Sequence, residues 1–173
     1  MNPVIQAMVD RRSIKKYESR QVPEELLEQI LQAGIHAATG MGKQSPVIVV
    51  LQDEKTIADL EKMNAAIMGA EGSHPFYGAP TVLVVLANAD IPTAIYDGSL
   101  VLGNLLLAAS ALGLGGCWIH RAREEFESEA GKALLREWGL EGNYIGIGHC
   151  IVGYGAADPA PAKPRKENYI VRP

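Results

Sequence analysis

Apolar residues recur along this chain first at helical spacing, then as short unbroken runs, and the two patterns alternate. Asn2 to Asp10 reads as a short helix. Pro23-Glu24-Glu25 has the form of a first helical turn, with proline pre-set for the start and carboxylates on the positive end of the dipole. Leu26, Leu27, Ile30, Leu31 and Ile35 then line up as one apolar stripe, and Gly34 weakens that helix while permitting close packing. Val47 to Leu51 is a continuous apolar run of the kind a buried sheet requires. Asp53 predicts an N-cap for a helix through about Ala66. Met68 to Phe76, with its Gly, Ser, His and Pro, predicts a loop suited to edging a binding site.

The second half repeats the alternation. Thr81 to Ala87 is another buried strand, and Asp97 is placed to cap a helix from about Gly98 to Leu112. That helix is apolar on almost every side, which predicts burial all round. A domain of this size seldom encloses a helix with its own residues alone, so a second copy covering one face is expected. Gly115 to His120 is a third strand, Glu124 to Trp138 an amphipathic surface helix, and Tyr144 to Tyr154 a fourth strand. The tail from Asp158 to Pro173 holds four of the ten prolines and is expected to be extended.

With 173 residues, 47% of them hydrophobic, the chain is expected to form a single domain, 1–173, with a sizeable core. A net charge of −4 gives no global basic field, which argues against nucleic acid as a partner. The longest apolar stretch, Leu100 to Leu114, is interrupted by Gly103, Asn104, Ser110 and Gly113 and is too short to predict a membrane span. The start of the chain has no charged segment followed by an apolar run, and the two cysteines, Cys117 and Cys150, fall in predicted buried strands. A cytoplasmic protein with reduced thiols is the expectation.

Basic residues therefore matter only where they cluster. Arg11-Arg12-Ser13-Ile14-Lys15-Lys16-Tyr17 places two guanidiniums, a hydroxyl and an ammonium within five residues, and Lys163-Pro164-Arg165-Lys166 supplies a second cluster near the other end. Guanidinium forks match phosphate oxygens bidentately, and a hydroxyl adds a short donor. Brought together by the fold, the clusters make an anion site for one terminal phosphate; left apart, they are two solvated basic patches. Other chemistries find less support. Cys117-x-x-His120 and His149-Cys150 hint at zinc, but residues three apart or adjacent on a strand point to opposite faces, so no metal site is expected. No G-x-S-x-G elbow, Walker A motif or G-x-G-x-x-G after a strand is present.

Taken in order, Arg11-Arg12-Ser13, the segment Ala38 to Pro46 before a strand, Tyr77-Gly78-Ala79-Pro80 before another, Asp97-Gly98-Ser99 opening the long helix, Gly113 to Ile119, Ile147 to Tyr154 and the basic tail resemble the nitroreductase family of FMN-dependent oxidoreductases. The resemblance runs from Arg11 to Arg165. It implies an α+β fold with a central, mainly antiparallel sheet flanked by helices, and a homodimer with FMN at the subunit interface. NAD(P)H would reduce the flavin, and a nitroaromatic or quinone-type acceptor would reoxidise it in a ping-pong cycle. The resemblance makes the Arg11, Arg12, Ser13 and Lys15 group the binding segment for the FMN phosphate and pyrimidine edge, with Arg11 and Ser13 as phosphate ligands aided by Lys163 and Arg165, and sets Lys15 beside N1 and O2 of the ring, where a cation favours the anionic reduced flavin. It sets Gly116, Ile119 and His120 against the ring, with a backbone N–H rather than the His120 imidazole as the contact. Gly42 stands where relatives usually carry Asn, which removes a side-chain contact and leaves Gln44 to reach the ring edge. No catalytic side chain is implied, because the flavin performs the chemistry. Two alternatives remain: a low-turnover flavin carrier or redox sensor, and a specialised reaction such as dehalogenation or flavin fragmentation.

Overall fold

The computed structural model describes all 173 residues. In chain order the elements are α1 (Pro3–Asp10), α2 (Glu24–Ile35), a 3-10 turn (Gly40–Gly42), β1 (Pro46–Leu51), α3 (Glu54–Ile67), β2 (Thr81–Asn88), α4 (Ala94–Ala111), β3 (Gly115–Ile119), α5 (Ala122–Glu127), α6 (Glu129–Glu137) and β4 (Tyr144–Gly153). The strands form one four-stranded sheet in the order β1-β2-β4-β3, and every neighbouring pair is antiparallel. The expected α+β architecture is the one observed. A register shift between Val85 and Leu86 lets β4 pass Ile147 unpaired.

The sheet separates two apolar layers, as strands buried on both faces require. On one side Val82, Val84, Leu86, Ile119 and Ile151 pack with Phe76, Leu60 and Phe126. On the other, Leu83, Val85, Cys150 and Val152 meet Leu27 and Ile30 of α2 and Val101, Leu102 and Leu105 of α4. Gly34 is where α2 and α4 touch most closely: a Cβ there would lie 2.7 Å from Leu105 and 2.9 Å from Ile48.

Three local expectations are corrected. Asp97 does not cap α4; the helix begins a turn earlier, at Ala94, and Asp97 is buried in its first turn. The helix is also not buried all round. Ala94, Gly98, Val101, Leu102, Leu105 and Ala109 are covered, while Tyr96 and Leu100 stand 71% and 51% exposed. At 18 residues, with a mean hydropathy of 1.3, α4 is long and apolar enough by composition to cross a bilayer, but its covered face packs on the sheet and α2. The stretch Glu124 to Trp138 is two helices rather than one. Ser128 breaks it, donating to the Glu125 carbonyl (2.6 Å) and accepting from the Gly131 N–H (3.0 Å). A Cβ at Gly131 would collide with the Glu125 carbonyl, so glycine is what allows so tight a corner.

Candidate flavin site

The segment after α1 runs along the open edge of β3. Ser13 forms a parallel bridge with Gly116, the Ile14 N–H donates to the Gly116 carbonyl at 3.2 Å, and Tyr17 bridges Gly155. Ile14 fills the space above Gly115, where any Cβ would lie 2.8 Å from it. The backbone thus aims alternate residues outward, and Ser13, Lys15 and Lys16 are exposed.

The chain returns to this place at its other end. Residues 157–163 and Arg165 wall an open cavity of about 560 Å³ whose opposite wall is Arg11 to Lys16. Six cationic side chains, Arg11, Arg12, Lys15, Lys16, Lys163 and Arg165, meet one carboxylate there, Asp158. None of the six takes part in an ion pair. Arg11 carries a buried guanidinium nitrogen, Nη1, with no hydrogen-bond partner. A buried unpaired donor costs about 1–3 kcal/mol, and an anionic oxygen would relieve it. The donor set fits a phosphate.

The six cations are not equivalent. Arg12 Nη1 donates to the carbonyls of Val9 (2.7 Å) and Arg11 (2.9 Å), closing the C-terminus of α1. Lys15 Nζ stands over the Tyr77 ring, 5.7 Å from its centroid. Tyr77 itself adopts φ 54°, a left-handed conformation that turns the loop under the lysine. Burial pushes the Tyr17 phenol and the Cys150 thiol well above their ordinary pKa values; Cys117 adds to both shifts, and Arg11 only partly opposes the second.

At the far end of β3, Ile119 is buried and His120 is exposed, its ring 5.3 Å from that of Trp118. Cys117 and Cys150 face opposite layers of the core. A Cβ at Gly116 would point toward α4 and make ordinary contacts with Leu106 at 3.4 Å and Ala109 at 3.6 Å.

Gly42 and Gln44 lie elsewhere. Their loop is tied to the N-terminal end of α4, where the Gly40 N–H donates to Asp97 Oδ1 at 2.9 Å and Ser45 Oγ to Asp97 Oδ2 at 2.8 Å. Met41 (φ 52°), Gly42 (φ 65°) and Gln44 (φ 49°) are all left-handed, and Gln44 is exposed. From Asp97 to the Leu106–Ala109 end of α4, beside Gly116, is about 15 Å at 1.5 Å per residue. One protomer therefore keeps its basic cavity and its Gly42–Gln44 loop at opposite ends of α4.

The model of the nitroreductase family matches residues 8–154. The chain belongs to the nitroreductase family. Among curated members, a protein of Methanothermobacter thermautotrophicus described as an NADH dehydrogenase/NAD(P)H nitroreductase is 30% identical over 167 residues, covering 90% of this chain and 79% of its own length. An FMN reductase [NAD(P)H] of Bacillus subtilis is 27% identical, covering 95% of this chain and 70% of that protein. A nitroreductase of Bacteroides fragilis, solved with bound FMN, shares the fold with a TM-score of 0.90 over 99% of both chains at 24% identity.

Several residues of the site left little mark in the sequence. Lys16 and Asp158 also line the cavity, and Tyr77 stands out in the sequence only as the start of the Tyr77 to Pro80 segment before a strand.

Proposed function

We propose that this protein is an FMN-dependent oxidoreductase that uses NAD(P)H to reduce nitroaromatic or quinone-type acceptors, working as a cytoplasmic homodimer of single-domain chains. The observation that carries the flavin assignment is the cavity between the two ends of the chain, with its unpaired cations and the partnerless Arg11 Nη1. Arg11, Ser13, Lys163 and Arg165 would hold the phosphate, and Lys15 the pyrimidine edge of the ring. When bound, the flavin supplies hydride acceptance and electron delivery. The protein supplies orientation and charge: Lys15 opposes the negative charge of a reduced ring, and Arg12 fixes the end of α1 so that Arg11 faces inward.

Two features support the dimer. The exposed stripe of α4, with Tyr96 and Leu100, and the exposed Val4, Ile5, Met8 and Val9 of α1 form an apolar surface that favours burial. Pairing two α4 helices antiparallel about a two-fold axis would bring the Gly42–Gln44 loop of one chain toward the basic cavity of the other, in keeping with their separation within one chain. Gly42 contributes backbone only.

Anaerobic titration tests the assignment. The protein should bind FMN in preference to riboflavin, and NADH or NADPH should bleach the bound flavin. A flavin that stays oxidised overturns the oxidoreductase reading and favours the carrier or sensor; equal affinity for FMN and riboflavin overturns the phosphate assignment.

A further inference from the structure

Beneath the turn from β3 into α5 lies a polar group that the proposed chemistry does not use. Asn64 of α3, Glu125 of α5 and His149 of β4 are 1%, 0% and 0% exposed. Glu125 Oε2 lies 2.5 Å from His149 Nε2, and Asn64 Nδ2 donates to Glu125 Oε1 at 2.6 Å. The same Asn64 amide donates to the backbone carbonyl of His120 at 2.8 Å. The edge of the Phe76 ring closes over His149, with centroids 5.2 Å apart.

A buried carboxylate is costly, and well-packed apolar residues often serve a core better. Here the group ends on a backbone atom. The residue that follows, Arg121, has φ 81° and ψ 5°, a left-handed conformation that ordinary side chains adopt at a cost. The next, Ala122, presses its carbonyl against Gly146, where a Cβ would collide with it. The turn is thus held on both sides of a strained residue: the His120 carbonyl by Asn64, the Ala122 carbonyl by the glycine of β4. Such strain persists where the surroundings over-determine it, and it concentrates at functional sites.

The location fits a ring-binding role. β3 leads from Gly116, beside the basic cavity, to His120, about 13 Å away at 3.3 Å per residue. A mononucleotide with its phosphate at Ser13 spans that distance along the strand. At the far end the exposed Trp118 and His120 rings stand side by side. We infer that the Asn64–Glu125–His149 triad is a positioning device that fixes the His120–Arg121 turn as the seat of the flavin ring, a conclusion that rests on the flavin assignment above.

The test compares FMN with riboflavin, which shares the ring and lacks the phosphate. Both affinities are measured by quenching of flavin fluorescence, together with the melting temperature of the flavin-free protein. Asn64→Ala should weaken both ligands alike by about tenfold, leaving the preference for FMN unchanged. Asn64→Ser, whose shorter hydroxyl cannot bridge both acceptors, is the milder cut should the alanine variant fail to fold. Glu125→Gln keeps an acceptor for Asn64 and replaces the acceptor facing His149 Nε2 by an N–H, which the imidazole meets by carrying its proton on Nδ1; it should bind both flavins within about twofold of wild type. A fall in melting temperature with both affinities unchanged reduces the triad to core structure, and selective loss of FMN overturns the assignment to the ring. Wild-type protein that binds neither flavin removes the proposed function itself, whereas normal wild-type binding with unaltered Asn64 variants removes only the triad.

Discussion

Asp97, buried at the start of α4, accepts a 2.8 Å hydrogen bond from Ser45 Oγ, 52 residues away in sequence, and through it anchors the loop that carries Gly42 and Gln44. The Gly40 N–H and Thr93 Oγ1 complete the set at 2.9 and 3.0 Å. Burial alone would raise this carboxyl's pKa. The three donors outweigh it and hold the pKa below the ordinary 3.8. A depressed carboxyl contributes stability above its unfolded pKa and loses it as pH falls through the folded value. Asp97→Ala leaves three donors without their acceptor and should cost at least about 2 kcal/mol at neutral pH. Urea unfolding checks this, and the gap to wild type should narrow as pH drops below 3.8. A gap that is constant with pH would show that the carboxylate charge contributes nothing.

Arg11 and Arg12 should behave differently. Arg11→Ala removes an inward guanidinium and should weaken FMN by about tenfold, with a smaller effect at high salt. Riboflavin binding should not change. Arg12 is occupied with the carbonyls of Val9 and Arg11, so Arg12→Ala should mainly loosen α1. Equal losses of FMN affinity in the two variants would contradict this division.

Leu100 and Leu102 separate assembly from folding. Leu100 is half exposed in the protomer, Leu102 only 5%. Leu100→Asp should split the dimer, while Leu102→Asp should unfold the chain, since an unpaired buried carboxylate costs several kcal/mol. Light scattering and circular dichroism distinguish the two outcomes. A native protein that is a stable, flavin-loaded monomer would end the dimer proposal.

Turnover should not depend on any one Ser, His or Cys. His120→Ala and Cys117→Ala should still reduce a quinone or nitroaromatic. Lys15→Ala should slow the reaction by about tenfold, which requires only about 1.4 kcal/mol. Two half-reactions at one flavin predict parallel double-reciprocal lines for NAD(P)H against acceptor; intersecting lines would exclude the ping-pong scheme.

β2 was legible because it is buried on both faces and so reads as an unbroken apolar run; β1, half-buried at the sheet edge, carries the same kind of run. The phosphate cluster was legible because cations cannot hide among apolar residues. What escaped was whatever depends on distant pairing. Asp97 in a helix start looks the same whether it caps the helix or reaches Ser45. Glu125 reads as one more surface glutamate until α5 is seen to end at Ser128 and turn it inward. The exposed stripe of α4 was hidden for the opposite reason: apolar residues at Tyr96 and Leu100 read as core, and nothing in the sequence marks them as exposed.

β3 is the last strand on its side of the sheet, and the strip that shields its margin is the same strip that bears Arg11, Ser13, Lys15 and Lys16. Like charges crowd that strip, and an anion bound in the cavity would ease their repulsion and so favour the strip's hold on the strand. Uncovered strand margins invite other chains to pair with them. Solubility should therefore depend on occupancy of the cavity: ligand-free chains should clump through β3, and a phosphate-bearing ligand should keep them dispersed even where no electron is transferred.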